Sequence, residues 1–314
     1  MSESPIHVSI IIVSWNVASL LRNCLESLKR AQESAIRAGT TWEIIVVDSA
    51  SNDETVTLLK QGYPEVRLFA QQENVGFTRG NNIGLAAARG RYLLLLNPDT
   101  EVCGDAIQQM MRFLEAHPQA GIVGPHTLNT DGSTQSTRRR FLNRRLLFLE
   151  STWLQSWAPQ RWLAEFYVSD LPDDATLEID WVQGSALIAR RELYEQIGGL
   201  DERYGMYFEE QDWCRRAKAQ GWQVWYLGDA RIIHHGGKSS DQIGAFKHIH
   251  YQRSRIHYAR KYYGRAFAVL LRVYLRLLYG WQIGLEALKA ALGNQRAMRR
   301  ERIRSYWQVL RAPL

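Results

Sequence analysis

In the stretch Tyr92–Val102, YLLLLNPDTEV, four consecutive leucines (Leu93–Leu96) run directly into Asn97-Pro98-Asp99. An unbroken apolar run bounded by turn residues is the pattern of a strand buried on both faces. Such strands belong to parallel sheets covered by helices. Pro98 has no N–H to give to a ladder, so the strand ends there. Asp99 therefore falls just past a strand's carboxyl end, where open α/β sheets hold ligands. Taken alone, the same tripeptide reads as a plain Asx turn.

The pattern recurs along the first third of the chain. His7–Val13 (HVSIIIV), Glu43–Val47 (EIIVV) and Val66–Ala70 are further strands. Between them, Leu20, Leu21, Cys24, Leu25 and Leu28 mark one face of an amphipathic helix, and Thr55–Lys60 reads as a short helix. Asn74-Val75-Gly76-Phe77 begins a loop, and Asn81–Arg89 is an Ala-rich helix closed by Gly90. Strands alternating with helices predict βαβ units and a mostly parallel sheet. Right-handed crossovers put the loops after each strand along one edge. Trp15, Asp48 and Asp99 lie in those loops and are expected to line one crevice.

A chain of 314 residues, 46 % hydrophobic and 23 % charged, has the material for two domains or one large α/β unit. Its three cysteines, Cys24, Cys103 and Cys214, have no metal-like spacing and fit a reducing compartment. The opening MSESPIHVSIIIVSW is acidic before a short apolar run, which is not the pattern of a secretory signal. The net charge of +7 is unevenly placed: Phe246–Leu314 carries +13 and the remainder −6. A mildly acidic body with a basic tail points to an anionic partner, either nucleic acid or a membrane surface.

Two nucleotide motifs are excluded. No G-x-G-x-x-G follows the first strand. Gly237-Lys238-Ser239 matches the end of a P-loop, but Ile232 stands where the first glycine is required. What remains is acidic. A carboxylate after the second strand can accept from a base or ribose. One after a later strand can hold magnesium or manganese shared with substrate phosphates, an arrangement that suits a nucleoside diphosphate. A second acidic group, Glu209-Glu210-Gln211-Asp212, opens a helical stretch ended by Gly221. Helix-dipole complementarity accounts for carboxylates there, and so does a general base. His234 and His235 follow a β-like stretch and read as structural residues or ligands.

Five blocks occur in order: VSIIIVSWN, EIIVVDSASND, NVGFTRGNNIGLAAARGRYLLLLNPDTEV, VQGSALIARRELYEQIGGLDERYGMYFEEQDWCRRAKAQGW and IIHHGGKSS. Together they resemble the family 2 glycosyltransferases of GT-A fold, of the rhamnosyltransferase-like kind, over about residues 6–240. The resemblance implies a Rossmann-like mixed α/β sheet flanked by helices with a C-terminal helical extension. Residues 1–125 would be the nucleotide-sugar half, 126–245 the acceptor and catalytic half, and 246–314 the basic helical tail.

It also implies an inverting transfer of a sugar, best matched by L-rhamnose from dTDP-L-rhamnose, to a glycan or polyprenyl-diphosphate-linked acceptor. A divalent cation, Mg2+ or Mn2+, would assist. Asp48 takes the position of the base contact, and the Asp-x-Asp metal motif is reduced to Asn97-Pro98-Asp99. Ser14, Asn16, Ser49, Asn74, Gly76, Phe77, Arg79, Asn82 and Asn97 complete the implied donor site. His234 is an implied metal or diphosphate contact beside Asp99, and Lys238 would neutralise phosphate. Glu210 matches the base position, with Glu209 its pair and Asp212 the runner-up. Gly184, Asp201 and Trp181 fall on the acceptor side, and Trp213 is a second tryptophan able to stack on a sugar. Arg138–Arg145 (RRRFLNRR) is either a basic patch for an acceptor diphosphate or a solvated loop.

In the tail, Phe267, Leu270, Leu271, Tyr274, Leu275 and Leu278 share one helical face, with Arg265, Arg272 and Arg276 on another. Ala266–Leu285 is long enough to span a bilayer, but two arginines within it favour a helix lying in the membrane interface or packed on the body. The expectation is a cytoplasmic enzyme, peripheral at an anionic inner membrane face and without a nucleic-acid partner. The rival readings are a UDP-sugar transferase of the same fold, a nucleotidyltransferase, and a nucleic-acid-binding protein stacking bases on Tyr258, Tyr262 and Tyr263.

Overall fold

The computed structural model describes residues 6–236, 244–293 and 295–313. In chain order the elements begin β1 (Val8–Ser14), α1 (Ala18–Arg37), β2 (Trp42–Asp48), α2 (Thr55–Gly62), β3 (Arg67–Ala70), α3 (Gly76–Ala87), β4 (Tyr92–Leu96), β5 (Thr100–Val102), α4 (Ala106–Ala116) and β6 (Ala120–Leu128). Next come β7 (Arg138–Arg139), α5 (Leu146–Leu149), a 3₁₀ turn (Trp153–Trp157), α6 (Gln160–Tyr167), β8 (Leu177–Ile179), β9 (Trp181–Val182), β10 (Ala186–Arg190) and α7 (Arg191–Ile197). The last are α8 (Glu209–Ala219), β11 (Gln223–His234), α9 (Gly244–Tyr263), α10 (Arg265–Ala291) and α11 (Arg296–Arg311). The chain divides into two compact units: Met1–Phe141, Pro159–Glu202 and Glu209–Ser239 form the first, and Leu142–Ala158, Arg203–Phe208 and Ser240–Leu314 the second.

The first unit is built on a mixed sheet in the order β3-β2-β1-β4-β10-β6-β11-β5, with β8 also paired to β11. β3, β2, β1 and β4 run parallel, and β10 inserts antiparallel between β4 and β6. Every residue of β1 and β4 is buried, as the apolar runs require. Their side chains alternate between two cores. Ile10, Ile12, Leu94 and Leu96 face the side covered by α1 and α4, while Ile11, Val13, Leu93 and Leu95 face the other.

α3 starts at Gly76, five residues before the helix expected from the sequence, so Phe77 and Arg79 lie in its first turn and not in a loop. A methyl at Gly84 would collide with the Ile11 side chain, so its absence lets α3 lie close against β1.

The second unit is helical. Arg255 is fully buried and donates to the Leu147 carbonyl at 2.5 Å, and Tyr274 Oη donates to the Phe148 carbonyl at 2.8 Å. Tyr258 is also fully buried, packed on Phe208 and Tyr262, and offers no stacking platform to a nucleic acid. α10 differs from the face drawn from its periodicity. Leu271, Leu275, Leu278 and Tyr279 are buried, but Leu270 is exposed. With Val269, Val273, Leu277 and Trp281 it forms a second apolar stripe, left uncovered along the helix.

Candidate active site

β1, β2 and β4 end together. Ser14 pairs in register with Asp48, and Ile12 with Leu96, so residues 14, 48 and 97 share one sheet edge. Two strand spacings separate the ends of β2 and β4, about 10 Å, the scale of a nucleoside with its diphosphate. The loops along this edge are tied to each other. Asn16, at φ 54°, accepts from Asn52 N–H at 2.7 Å and donates its own N–H to Ser51 Oγ at 2.9 Å. Ser49 Oγ donates to Asn74 Oδ1 at 3.0 Å and accepts from Val75 N–H at 2.9 Å, and Asn74 Oδ1 also accepts from Gly76 N–H at 2.9 Å. Asn16, Ser49, Asn74 and Gly76 thus shape the loops. Arg79 is exposed, 4.0 Å from Glu73.

Asp48 is buried. Its Oδ2 accepts from Ser51 N–H at 3.1 Å, while Oδ1 has no partner. A buried acceptor left open is costly unless a ligand fills it. Ser14 Oγ and Asn97 Oδ1 are in the same condition.

Asp99 is brought against the end of β11. His234 Nε2 lies 3.3 Å from Asp99 Oδ1 without forming a hydrogen bond, and its Nδ1 is 2.6 Å from Gln135 Oε1. An open imidazole nitrogen facing a carboxylate oxygen is a donor set that fits a hard divalent cation completed by phosphate oxygens. Among the described residues no group of three or more His, Cys, Asp or Glu side chains could hold a metal by itself. His235 is engaged separately with Glu101, at 2.8 Å. Lys238 lies outside the described residues.

The carboxylates of α8 divide into two roles. Asp212 is fully buried and accepts from Arg216 Nε at 2.9 Å; Arg216 in turn donates to the carbonyls of Ile197 and Gly199, each at 2.6 Å. Asp212 therefore holds the loop after α7 and is not open to an acceptor. Glu210 Oε1 accepts from Gly184 N–H at 3.3 Å, and its Oε2 has no partner. Asn97 N–H donates to the Ser185 carbonyl at 2.9 Å, tying the Gly184–Ser185 turn to the end of β4. Burial, reinforced by the neighbouring Glu210 charge, holds Glu209 well above the usual carboxylate range. Burial also raises Glu210, opposed by backbone N–H groups, among them that of Gly184, and by the Arg139 charge. Paired carboxyls in unequal surroundings can carry unlike protonation states near neutrality. The backbone enters α8 through Tyr207 and Phe208, both at positive φ (67° and 69°), which is strained for aromatic residues.

Other positions expected from the sequence have structural work. Asn82 has its amide fully used, accepting from Leu200 N–H at 2.8 Å and donating to the Leu200 carbonyl at 2.9 Å and Glu202 at 3.0 Å. This anchors the loop that carries Asp201, which is half-buried. Trp181 is half-buried, its Nε1–H donating to the Arg140 carbonyl at 3.0 Å. Trp213 is fully buried in the core and is not available to a sugar. Nor is Arg138–Arg145 one basic patch, because Arg138 is buried on the carbonyls of Leu171 and Pro172, both at 2.6 Å. Gln135 was not expected. The signal for it is Asp131-Gly132, a hairpin dipeptide that returns the chain antiparallel to β6, with Leu128 opposite Thr134.

Residues 9–197 match the profile described as glycosyl transferase family 2. The N-acetylglucosaminyl-diphospho-decaprenol L-rhamnosyltransferase of Mycobacterium tuberculosis strain H37Rv is 26 % identical over 309 residues, covering 94 % of this chain and 95 % of that protein. Among solved structures, the mannosyltransferase PcManGT of Pyrobaculum calidifontis, in complex with GDP-Man and Mn2+, superposes with a TM-score of 0.56 at 15 % identity, covering 98 % of this chain and 86 % of that one. GalNAc-T7 with UDP, GalNAc and Mn2+ gives 0.55 at 17 % identity over 74 % of this chain, which spans 44 % of that protein. The sheet is therefore the GT-A sheet. With more than half its length inside the family profile, this chain belongs to glycosyl transferase family 2 and is a glycosyltransferase.

Proposed function

We propose that this enzyme is an inverting glycosyltransferase that moves L-rhamnose from dTDP-L-rhamnose to a hydroxyl of a glycan carried on a polyprenyl diphosphate. The observation that carries the reading is the line of open polar atoms along one sheet edge: Asp48 Oδ1, the Asp99–His234 pair and Glu210 Oε2. Asp48 accepts N3–H of the pyrimidine, and Ser14 and Asn97 accept or donate to the donor along the same edge. A divalent cation at Asp99 and His234 would supply charge against the departing diphosphate. Glu210 takes the proton of the acceptor hydroxyl as the new C1–O bond forms and the C1–O–phosphate bond breaks. Burial and the Glu210 charge favour the protonated form of Glu209, which leaves that role to its neighbour. The rhamnosyl donor and the lipid-linked acceptor rest on the mycobacterial relative, alike over nearly its whole length.

The uncovered stripe of α10 supports work at the cytoplasmic membrane face. The helix is long and apolar enough to cross a bilayer by length and composition. Its Leu271–Leu275–Leu278 face is already buried, however, and Arg272 and Arg276 interrupt the segment, so we place it in the plane of the interface.

The test is thermal stabilisation by dTDP-L-rhamnose, UDP-GlcNAc and GDP-mannose with Mn2+, Mg2+ or EDTA, on wild type and Asp99→Ala. A ligand at about 100 times its Kd adds ~2.7 kcal/mol. A cation-dependent shift with dTDP-L-rhamnose, lost in Asp99→Ala, is expected. A shift with a UDP-sugar instead reassigns the donor, and none with any donor overturns the reading.

A further inference from the structure

Which ring nitrogen of His234 carries the proton decides whether that residue can ligate a cation with Asp99. An Nε2–H facing Asp99 Oδ1 across 3.3 Å would settle into a hydrogen bond and close the pair. A bare Nε2 leaves a lone pair free for a cation beside the same carboxylate. The surroundings of Nδ1 choose between these states, and they can be traced outward through four residues to an atom with no choice.

That atom is Asp131 Oδ1. An ionised carboxylate only accepts, and Asp131 is an exposed carboxylate whose pKa is lowered by hydrogen bonds from Ser133. Ser133 N–H and O–H both donate to Oδ1, at 2.9 and 2.6 Å. With its proton committed there, Ser133 Oγ must accept from Asn129, whose Nδ2 is 2.9 Å away. The other end of the Asn129 amide is then Oδ1, which accepts from Gln135 Nε2 at 3.0 Å. Gln135 therefore presents its carbonyl oxygen, Oε1, to His234 Nδ1 at 2.6 Å, and Nδ1 must carry the proton. Nε2 has no hydrogen-bond partner, as this order requires. The hairpin turn is fixed to match: Asn129 N–H donates to the Ser133 carbonyl at 2.8 Å, Gly132 sits at φ 82°, and Gln135 N–H donates to the Thr127 carbonyl at 2.9 Å.

We infer that Asp131, Ser133, Asn129 and Gln135 form a positioning relay that holds His234 in its Nδ1–H tautomer and so keeps Nε2 open to a divalent cation shared with Asp99. The inference rests on the proposed role of Asp99 and His234 as cation ligands. The competing state is the same chain reversed. Both amides turn over, Ser133 gives its hydroxyl proton to Asn129, Gln135 donates to Nδ1, and Nε2–H bonds Asp99. Reversal strips Asp131 of an O–H donor, so the exposed carboxylate sets the direction from the far end. Ligating histidines are commonly held by a partner on the other ring nitrogen, and loss of that partner weakens metal affinity 10–100-fold.

The experiment uses full-length protein in two parallel measurements. Long-range 1H–15N correlation of the His234 ring in metal-free protein reads the tautomer. Mn2+ titration in the presence of dTDP, followed by the electron paramagnetic resonance of free Mn2+, reads affinity. Wild type is expected as Nδ1–H. Asp131→Ala, on the surface and harmless to the core, is expected to admit the Nε2–H form and weaken Mn2+ severalfold. Gln135→Leu is expected to lose the preference and weaken Mn2+ by about 10–100-fold. An Nε2–H ring in metal-free wild type, or a tautomer unmoved in both variants, overturns the relay. A tautomer that moves while Mn2+ affinity stays constant, and is also constant in His234→Ala, overturns the proposal through the cation reading instead.

Discussion

Glu210→Gln removes a proton acceptor while changing little else. The amide has the same shape, and its oxygen can still accept the Gly184 N–H that Glu210 Oε1 accepts at 3.3 Å. The expected loss in kcat is that of one positioned base, ~10²–10⁴-fold, or about 2.7–5.5 kcal/mol of transition-state stabilisation. Donor affinity should hold, because Asp48 and Asp99 lie at other strand ends. The assay is the initial rate of sugar transfer across pH, beside calorimetric binding of the donor. The base must be ionised to act, so the rate is constant above its pKa and falls as pH drops through it. Burial raises that pKa, so the acid limb lies above the pH at which an ordinary glutamate titrates, about 4.3. In Glu209→Gln a carboxyl whose surroundings favour its protonated form becomes a neutral amide, so the plateau rate should survive and the limb should stay in place. The reasoning is refuted if Glu210→Gln transfers at the wild-type rate. If Glu209→Gln is then the inactive one, the base is Glu209.

Asp48→Ala should weaken dTDP and UDP by about 1.5–3 kcal/mol, the worth of a hydrogen bond to a charged acceptor; equal weakening of inorganic pyrophosphate, measured by calorimetry, would show that Asp48 does not read the base. Glu43 is a buried carboxylate held by Ser9 Oγ at 2.6 Å, Arg89 N–H at 2.6 Å and Arg67 at 2.5 Å. Burial pushes its pKa up, but these partners outweigh burial and leave it lowered. Its contribution is thus present above the unfolded-state pKa and lost as pH falls through the folded one. Glu43→Gln should cost about 1.5–3 kcal/mol at neutral pH, a deficit that narrows in melts below pH 4–5, and a deficit independent of pH would contradict this. Leu277→Glu with Trp281→Glu, both at exposed positions (70 % and 59 %), should abolish co-sedimentation with phosphatidylserine vesicles. Wild type binding no better to these than to phosphatidylcholine would remove the membrane placement.

β1, β2 and β4 could be read from the sequence because burial on both faces leaves an uninterrupted apolar run. β10 could not be placed, since its antiparallel insertion between β4 and β6 depends on partners far away in the chain. The early start of α3 was hidden for a related reason. GFTRGNNIG has poor helix propensity, and Gly76 and Gly80 read as loop until Val13 shows why bulk is forbidden at Gly80. In α10 the pattern identifies an apolar face correctly but cannot tell which of two apolar faces is covered. Asp48, Asp99 and Glu210 stood out as carboxylates at strand or helix ends. Gln135 did not, because an uncharged amide acquires meaning only from what it touches.

The open atoms at this edge also predict an opposition between stability and binding. Ser14 Oγ, Asp48 Oδ1, Asn97 Oδ1, Ser185 Oγ, Glu209 Oε2, Glu210 Oε2 and His234 Nε2 are all buried without a partner at the strand ends, the β10 turn or the start of α8. Each such group costs roughly 1–3 kcal/mol, and on the proposed function the bound substrates and cation relieve that cost. Ser185 separates the two effects best, because its backbone carbonyl, and not its hydroxyl, accepts from Asn97 N–H. Ser185→Ala deletes the unsatisfied hydroxyl and keeps that bond, so the ligand-free protein should melt no lower, and by this argument higher, than wild type. The shift produced by a saturating donor should shrink. A structural serine would do the reverse, lowering the ligand-free melt and leaving the donor shift intact. The sign of the two changes, measured in one calorimetric series, therefore decides whether the hydroxyl serves the fold or the substrate.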